Sequence, residues 1–84
     1  MTEKTVEARI MDVVKALKPD AAQSVQLETD MFAAGILDSF GVLEFISSLE
    51  KEFQVRIPNE DLLPQNLLSI AAAAGTVRKN LKKG

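Results

Sequence analysis

The sequence contains neither cysteine nor histidine. Without these residues it cannot form a disulfide, a zinc site or an iron–sulfur site, and carboxylates alone suit only hard cations. Their absence also removes the Ser–His and Cys–His pairs of nucleophilic catalysis. The composition therefore argues against an ordinary hydrolase and predicts a protein that is not an enzyme and has no metal site.

Long apolar runs are absent as well. The longest, from Ile70 to Ala74, is far too short to cross a bilayer. Residues 1–9 are charged and lack the apolar region of a signal peptide. We therefore expect no membrane insertion and a cytoplasmic location.

The chain is short, with 84 residues, of which 46% are hydrophobic. A chain of this size buries only about 60–65% of its unfolded surface, so it can close one modest core but cannot also enclose a deep polar active site. We expect a single domain over residues 1–84, acting as a monomer.

Charge is unevenly distributed along the chain although the net charge is only −2. Residues 28–61 contain eight acids and two bases, whereas the flanking segments contain four acids and eight bases. An acidic central segment attracts basic partners and argues against a nucleic-acid surface there. For any single charge, a solvated surface position remains the simpler interpretation.

Three segments repeat apolar residues at helical spacing. They extend over about Glu3 to Leu17, Ser39 to Phe53, and Asn66 or Ser69 to about Leu81. Thr2 or Thr5 is the expected cap of the first helix and Asp38 that of the second. The second helix has the apolar stripe Val42, Leu43, Phe45, Ile46, Leu49 and Phe53, and the third has Ile70, Ala73, Ala74, Val77 and Leu81.

The segments between these helices show no sustained period. Within 19–38, Asp30 is expected to cap a single turn that Gly35 ends. We interpret 54–58 as an extended connector, because a lone strand would have nothing to pair with. Asn59 is then expected to cap a short turn over 60–63, closed by Pro64. The pattern predicts an all-α bundle of three main helices plus one short helix, with a long structured loop between the first two main helices.

Ser39 stands at the first turn of the second predicted helix. A hydroxyl at this position is often a capping group, but Asp38 already provides a cap. The chain offers no histidine to activate the serine. The residues alone therefore leave two interpretations open: a capping serine, or a serine that another protein modifies.

The segment Asp30 to Phe40, with the sequence DMFAAGILDSF, resembles the phosphopantetheine attachment region of acyl carrier proteins and peptidyl carrier domains. The resemblance extends to the helical pattern over 42–53, to the Val-x-Ile-Pro of 55–58 and to the pattern of 66–77. It implies an acyl-carrier-like bundle. It also implies that Ser39 is the attachment residue for 4′-phosphopantetheine, whose phosphate would lie near free amides at a helix N-terminus.

The resemblance further implies a carrier of acyl or aminoacyl thioesters in fatty acid, lipid or specialised metabolite biosynthesis. The implied partners are a phosphopantetheinyl transferase and acyl- or aminoacyl-handling enzymes with basic docking patches. The positions implied in partner recognition are Met31, Asp38, Phe40, Glu44, Glu50 and Ile57. For Phe40, an ordinary core position is an almost equal alternative.

Two residues depart from the pattern of housekeeping fatty-acid carriers: Phe40 where leucine is usual, and Lys51 where an acid is usual. The sequence of residues 36–41 looks closer to that of specialised carriers, including D-alanyl, nonribosomal and polyketide carriers. The identity of the cargo therefore stays open. A different kind of function also stays open, a non-catalytic docking or regulatory module that uses the acidic second helix without phosphopantetheine. The alanines of 71–74 admit two interpretations, room for an acyl chain or close helix packing.

Overall fold

Helices and helical turns make up the regular structure of the computed structural model, which describes residues 5–83. The α-helices are α1 (Val6–Leu17), α2 (Pro19–Ala22), α3 (Ser39–Phe53), α4 (Pro64–Leu67) and α5 (Ile70–Lys83), and a 3₁₀ turn spans Asn59–Asp61. Within the described range there is no strand. The predicted all-α bundle is confirmed, with α1, α3 and α5 as its three main helices and short helical turns between them.

The helix starts follow local capping chemistry. Thr5 caps α1, its hydroxyl accepting a hydrogen bond from the Ala8 amide at 3.0 Å. Ser69 does the same for α5, accepting from the Ala72 amide at 3.1 Å. The predicted helix start at about Glu3 and the alternative cap at Thr2 lie outside the described residues.

The core is built where α1 packs against both α3 and α5. The side of α3 that faces it carries Gly41, Phe45, Leu49 and Phe53, all buried and spaced four residues apart. Ile10 and Val14 of α1 and Ile70 and Val77 of α5 complete its centre. The Cα radius of gyration is 11.9 Å, about what a compact chain of this length has.

Two predicted core residues lie on the surface instead. Leu43 is 62% exposed, because it stands two residues from the buried Gly41 and therefore on the opposite side of α3. Leu81 is 42% exposed near the end of α5. The predicted stripe of α3 was thus too broad, and its excess apolar surface faces solvent.

The long loop from residue 23 to 38 is structured, as predicted. The Asp30 carboxylate accepts hydrogen bonds from the amides of Phe32 and Ala33 at 3.1 and 2.9 Å. Gly35 ends this turn with a φ of 76°, a conformation that favours glycine. The Met31 amide donates to the Leu68 carbonyl at 2.7 Å, which ties the loop to the segment before α5 and fixes the entry into α3.

The segment after α3 leaves the helix through Gln54, whose φ of 53° is left-handed. It then runs without a strand to the 3₁₀ turn, which confirms the extended connector. The expected cap at Asn59 is wrong: Asn59 is the first residue of the turn, Pro58 precedes it, and no side chain caps it. Pro64 opens α4 rather than closing a turn, because its fixed φ suits a first helical position.

Several bases from the ends of the chain pair with acids elsewhere. Arg9 binds the side chain and the carbonyl of Glu52 at 3.0 and 2.8 Å, and its guanidinium lies 4.3 Å from the centre of the Phe53 ring. Lys79 binds the buried Asp61 at 2.8 Å. Glu52 and Asp61 therefore stabilise the fold and contribute less free charge to the acidic central segment than the sequence suggests.

Candidate functional site

Ser39 is the first residue of α3, and its side chain is exposed. Within residues 5–83, no group donates to or accepts from its hydroxyl. A side chain in this position is open to another protein. The capping interpretation of Ser39 therefore receives no support from the contacts of its hydroxyl.

Asp38 is the residue that caps α3. Its Oδ1 accepts a hydrogen bond from the Gly41 amide at 2.6 Å. This hydrogen bond, with the field of Lys18 as a smaller contribution, holds the pKa of the Asp38 carboxyl below its usual value. A carboxylate with a lowered pKa is a weak base, so Asp38 is poorly suited to activate the neighbouring hydroxyl.

The same hydrogen bond bears on the expectation that a phosphate attached at Ser39 would lie near free amides at the helix N-terminus, because it occupies one of those amides. In the structure the Gly41 amide already donates to Asp38. An added anion at Ser39 would therefore share the start of α3 with a carboxylate.

The lack of a side chain at Gly41 lets the Asp38 carboxylate lie close to the backbone of residue 41. A Cβ at this position would lie 3.1 Å from Oδ1 of Asp38 and 3.8 Å from Cδ2 of Leu37. The first distance is shorter than an ordinary van der Waals contact, so a side chain would push on the capping carboxylate. The absence of a side chain at residue 41 thus supports the geometry just after Ser39.

Phe40 and Leu43 form an exposed apolar surface beside Ser39. They are 72% and 62% exposed, and with Leu17 at the end of α1 they border a shallow hollow of about 400 Å³. Glu44 lies at the same hollow and is exposed. The core alternative for Phe40 is wrong. We call Leu17, Phe40 and Leu43 the apolar surface.

Leu17 and Leu43 were not recognised as candidate site residues from the sequence. Both fit a buried helical stripe, and only the packing of α1 on α3 shows that they meet at the hollow. One signal was present: the apolar stripe of α3 covers more of the helix than one core-facing side requires.

Three other predicted recognition residues lie elsewhere. Met31 has an exposed fraction of 0% and Ile57 one of 4%, so neither presents a side chain to a partner. Glu50 is half-buried, and its Oε2 accepts a hydrogen bond from the Ile57 amide at 2.8 Å. The structure thus groups Asp38, Ser39, Phe40 and Glu44 at one end of α3 and places Glu50 further along it.

The described part of the chain offers neither a metal site nor a membrane span. It contains no cluster of acids that would hold a metal ion. None of its helices has the length and apolar character needed to cross a membrane. The exposed serine and the apolar surface next to it remain the best candidate for a functional site.

Known proteins similar to this chain include one family and several carrier proteins. A family described as "Phosphopantetheine attachment site" matches residues 6–77. The chain is 39% identical over 54 residues to the D-alanyl carrier protein of Streptococcus uberis, an alignment that covers 64% of this chain and 67% of the relative. It is 32% identical over 53 residues to the D-alanyl carrier protein of Streptococcus sanguinis, covering 63% and 66%.

The matched segment spans about two thirds of the length of these relatives. No solved structure matches the chain significantly.

Proposed function

Since the chain belongs to the phosphopantetheine attachment family and is a carrier protein whose prosthetic group is 4′-phosphopantetheine, we propose that Ser39 holds this group and that the cargo is an aminoacyl thioester. The observation that carries the proposal is the exposed hydroxyl at the start of α3, which has no hydrogen-bond partner among residues 5–83 and lies inside the segment that matches the family. When bound, the group supplies the thiol that a chain without cysteine lacks.

The chemistry at Ser39 is the formation of a phosphodiester. The hydroxyl oxygen bonds to the phosphorus that carries the pantetheine of coenzyme A, and 3′,5′-ADP leaves. The hydroxyl proton goes to a base of the transferase, because Asp38 is a weak base held by the Gly41 amide. The residues of this chain present the hydroxyl and do not activate it.

The nature of the cargo is supported by the relatives. Those reported above carry D-alanyl groups by name, and we extend that class, an aminoacyl group, to this chain. The same relatives give no support to fatty acid biosynthesis. The fully buried Ala73 and Ala74 favour close packing of α5 over room for a long acyl chain.

Partner enzymes would dock on the apolar surface beside Ser39. Large exposed side chains such as Phe40 are effective binding contacts when a partner removes them from water. The exposed carboxylates of Asp38 and Glu44 lie close by and would attract basic residues on the transferase and on the aminoacylating enzyme. Steering by these acids would speed association, and apolar contact would hold the complex.

The test is the mass of the protein isolated from its own cell. We expect a population that carries phosphopantetheine plus one aminoacyl group on the peptide containing Ser39. Neutral hydroxylamine should release the aminoacyl group, as expected of a thioester. A fatty acyl group at that position would contradict the proposed cargo, and an unmodified Ser39 in all molecules would favour the docking module without a prosthetic group.

A further inference from the structure

A phosphodiester at Ser39 raises an electrostatic problem at the start of α3. The group carries one negative charge. The residue before it, Asp38, is a carboxylate that accepts a hydrogen bond from the Gly41 amide at 2.6 Å. Two anions at neighbouring residues repel each other, and a nearby cation can offset this repulsion. The helix dipole favours an anion at this end of α3, but the Asp38 carboxylate already lies there and accepts from one of the N-terminal amides.

Lys18, at the end of α1, is the candidate for that cation. It follows Leu17 directly and ends α1, with its amide donating to the Val14 carbonyl at 2.7 Å. Leu17 borders the same hollow as Phe40 and Leu43, so the end of α1 lies against the first turns of α3. The position of Lys18 is therefore set by the packing of α1 on α3.

Lys18 is also available. Arg9, Arg78 and Lys79 are held in ion pairs with Glu52, Glu7 and Asp61. The exposed Lys18 side chain has no such pair within the described residues, and its positive charge makes a smaller contribution than the Gly41 hydrogen bond to lowering the pKa of the Asp38 carboxyl. Arg9, Arg78 and Lys79 thus contribute to the fold, whereas the ammonium of Lys18 can move toward a new anion.

We propose that Lys18 is a positioning residue that pairs with the phosphodiester formed at Ser39. This inference rests on the proposed function, since it requires the group at Ser39. Its consequence is that modification adds a charge without destabilising the start of α3. Lys18 would also draw the first atoms of the arm toward the end of α1 and the apolar surface.

The experiment compares Lys18→Gln with Lys51→Gln and with the unchanged protein, each prepared in apo and phosphopantetheinylated form. Lys51 is an exposed base on α3 itself, about 18 Å from Ser39 along the helix axis. Both substitutions remove one positive charge. The ³¹P chemical shift of the phosphodiester and the midpoint of thermal unfolding are measured at low salt and at 1 M salt.

We expect Lys18→Gln to change the ³¹P shift and to lower the midpoint of the modified form relative to its apo form by about 1–5 °C at low salt. This difference should shrink at 1 M salt, where the screening length falls to about 3 Å. Lys51→Gln should leave the ³¹P shift and the difference between the two forms unchanged.

Equal ³¹P shifts in the Lys18 variant and the unchanged protein would overturn the role of Lys18 while leaving the proposed function intact. The intact mass separates the two failures. If no protein gains the group at Ser39, the proposed function fails and this inference fails with it. Circular dichroism of each apo form checks that the substitution leaves the fold in place.

Discussion

At the scale of single residues, Ser39 and its neighbours have different roles in the proposed attachment site. Asp38 fixes the start of α3 by accepting from the Gly41 amide, and Gly41 leaves space for that contact. Ser39 makes no such contact within the described residues and points its exposed hydroxyl outward. The fold can therefore tolerate modification of Ser39, because no structural hydrogen bond is lost.

The Asp38 cap should make the stability of the fold depend on pH. The hydrogen bond from Gly41 favours the charged form of Asp38 and keeps its pKa below the ordinary value of 3.8. A carboxyl with a lowered pKa stabilises the fold above its unfolded pKa, and this contribution is lost as the pH falls below about 4 and through the folded pKa.

A titration of the Asp38 carboxyl carbon by NMR measures this pKa. Asp38→Asn is the matched control, since asparagine also caps helices but does not titrate in this range. Its stability should depend less steeply on pH below about 4 than that of the unchanged protein. An Asp38 pKa at or above the ordinary value would contradict the account of the cap.

Phe40 and Leu43 give a second prediction for single residues. Replacing either by alanine should lower kcat/KM of the transferase or of the aminoacylating enzyme for this carrier by about 5- to 30-fold, the effect of losing a central apolar contact of 1–2 kcal/mol. The free energy of unfolding should change by less than about 0.5 kcal/mol, because both side chains are already in water.

Leu81→Ala is the control for this pair. Leu81 is also an exposed leucine, but it borders a groove with Gln54 and Val55, at the far end of α3 from Ser39. It should affect neither kinetics nor stability appreciably. Unchanged kinetics in the Phe40 and Leu43 variants would show that partners dock elsewhere.

At the scale of elements, α3 combines a structural side with the side proposed to contact partners. The row of Gly41, Phe45, Leu49 and Phe53 builds the core, while Phe40, Leu43 and Glu44 face solvent near Ser39. Glu50 belongs to the structural part, because it holds the connector through the Ile57 amide. The acids of α3 therefore differ in role although the sequence presents them alike.

This difference between Glu44 and Glu50 is testable. Glu50→Ala should lower the free energy of unfolding by about 1.5–3 kcal/mol, as for loss of a hydrogen bond to a charged group, and should speed hydrogen exchange at the Ile57 amide. Glu50→Gln keeps an acceptor and should recover part of both effects.

Glu44→Ala should behave in the opposite way. Its stability should stay within about 0.5 kcal/mol of the unchanged protein, while association with basic partners slows at low salt. If Glu44→Ala destabilised the fold and Glu50→Ala did not, the assignment of the two acids would be reversed.

The sequence predicted the elements best where local chemistry decides them. The start of α3 at the Asp38 cap and the turn at Asp30 to Gly35 follow from side chains that bond to nearby amides, and both are confirmed, as are the bounds of α3. Features that depend on packing between distant segments were missed. The helical spacing of Leu43 is compatible with either a buried or an exposed position. Its exposure follows from the side of α3 on which the rest of the core packs.

The same limit applies to the candidate site. Ser39 was predicted from its local sequence and from a family resemblance; the match over 6–77 confirms the family, and the role of Ser39 stays a prediction. The burial of Met31 and the bond between Glu50 and Ile57 depend on contacts across the fold. The spacing of apolar residues predicts which residues form a helix. It does not predict which other segments pack against that helix and bury its side chains.

At the scale of the whole molecule, a small core supports the proposed attachment site. Phe45, Leu49, Ala73, Ala74 and Val77 have exposed fractions of 0%, so α1, α3 and α5 meet closely. Protein interiors packed in this way respond to even one added methylene group. An acyl chain entering this core would have to displace side chains.

We therefore predict that loading with an aminoacyl group leaves the core unchanged. The methyl NMR shifts of Leu49 and Val77 should be the same in the D-alanyl-loaded and unloaded forms. An octanoyl-loaded form is the comparison, because a long chain gains more from burial, about 0.8 kcal/mol per methylene. Shifted core methyls in the D-alanyl form would contradict a cargo held outside the bundle.

The central claim is that Ser39 is the attachment residue of this carrier. The direct measurement is the intact mass after incubation with coenzyme A, Mg²⁺ and a broad-specificity transferase, for the unchanged protein, Ser39→Ala and Ser47→Ala. Ser47 is an exposed serine on the same helix and provides the matched control. The account predicts a gain of one phosphopantetheine in the unchanged protein and in Ser47→Ala and none in Ser39→Ala. A gain in Ser39→Ala, or no gain in the unchanged protein, would contradict it.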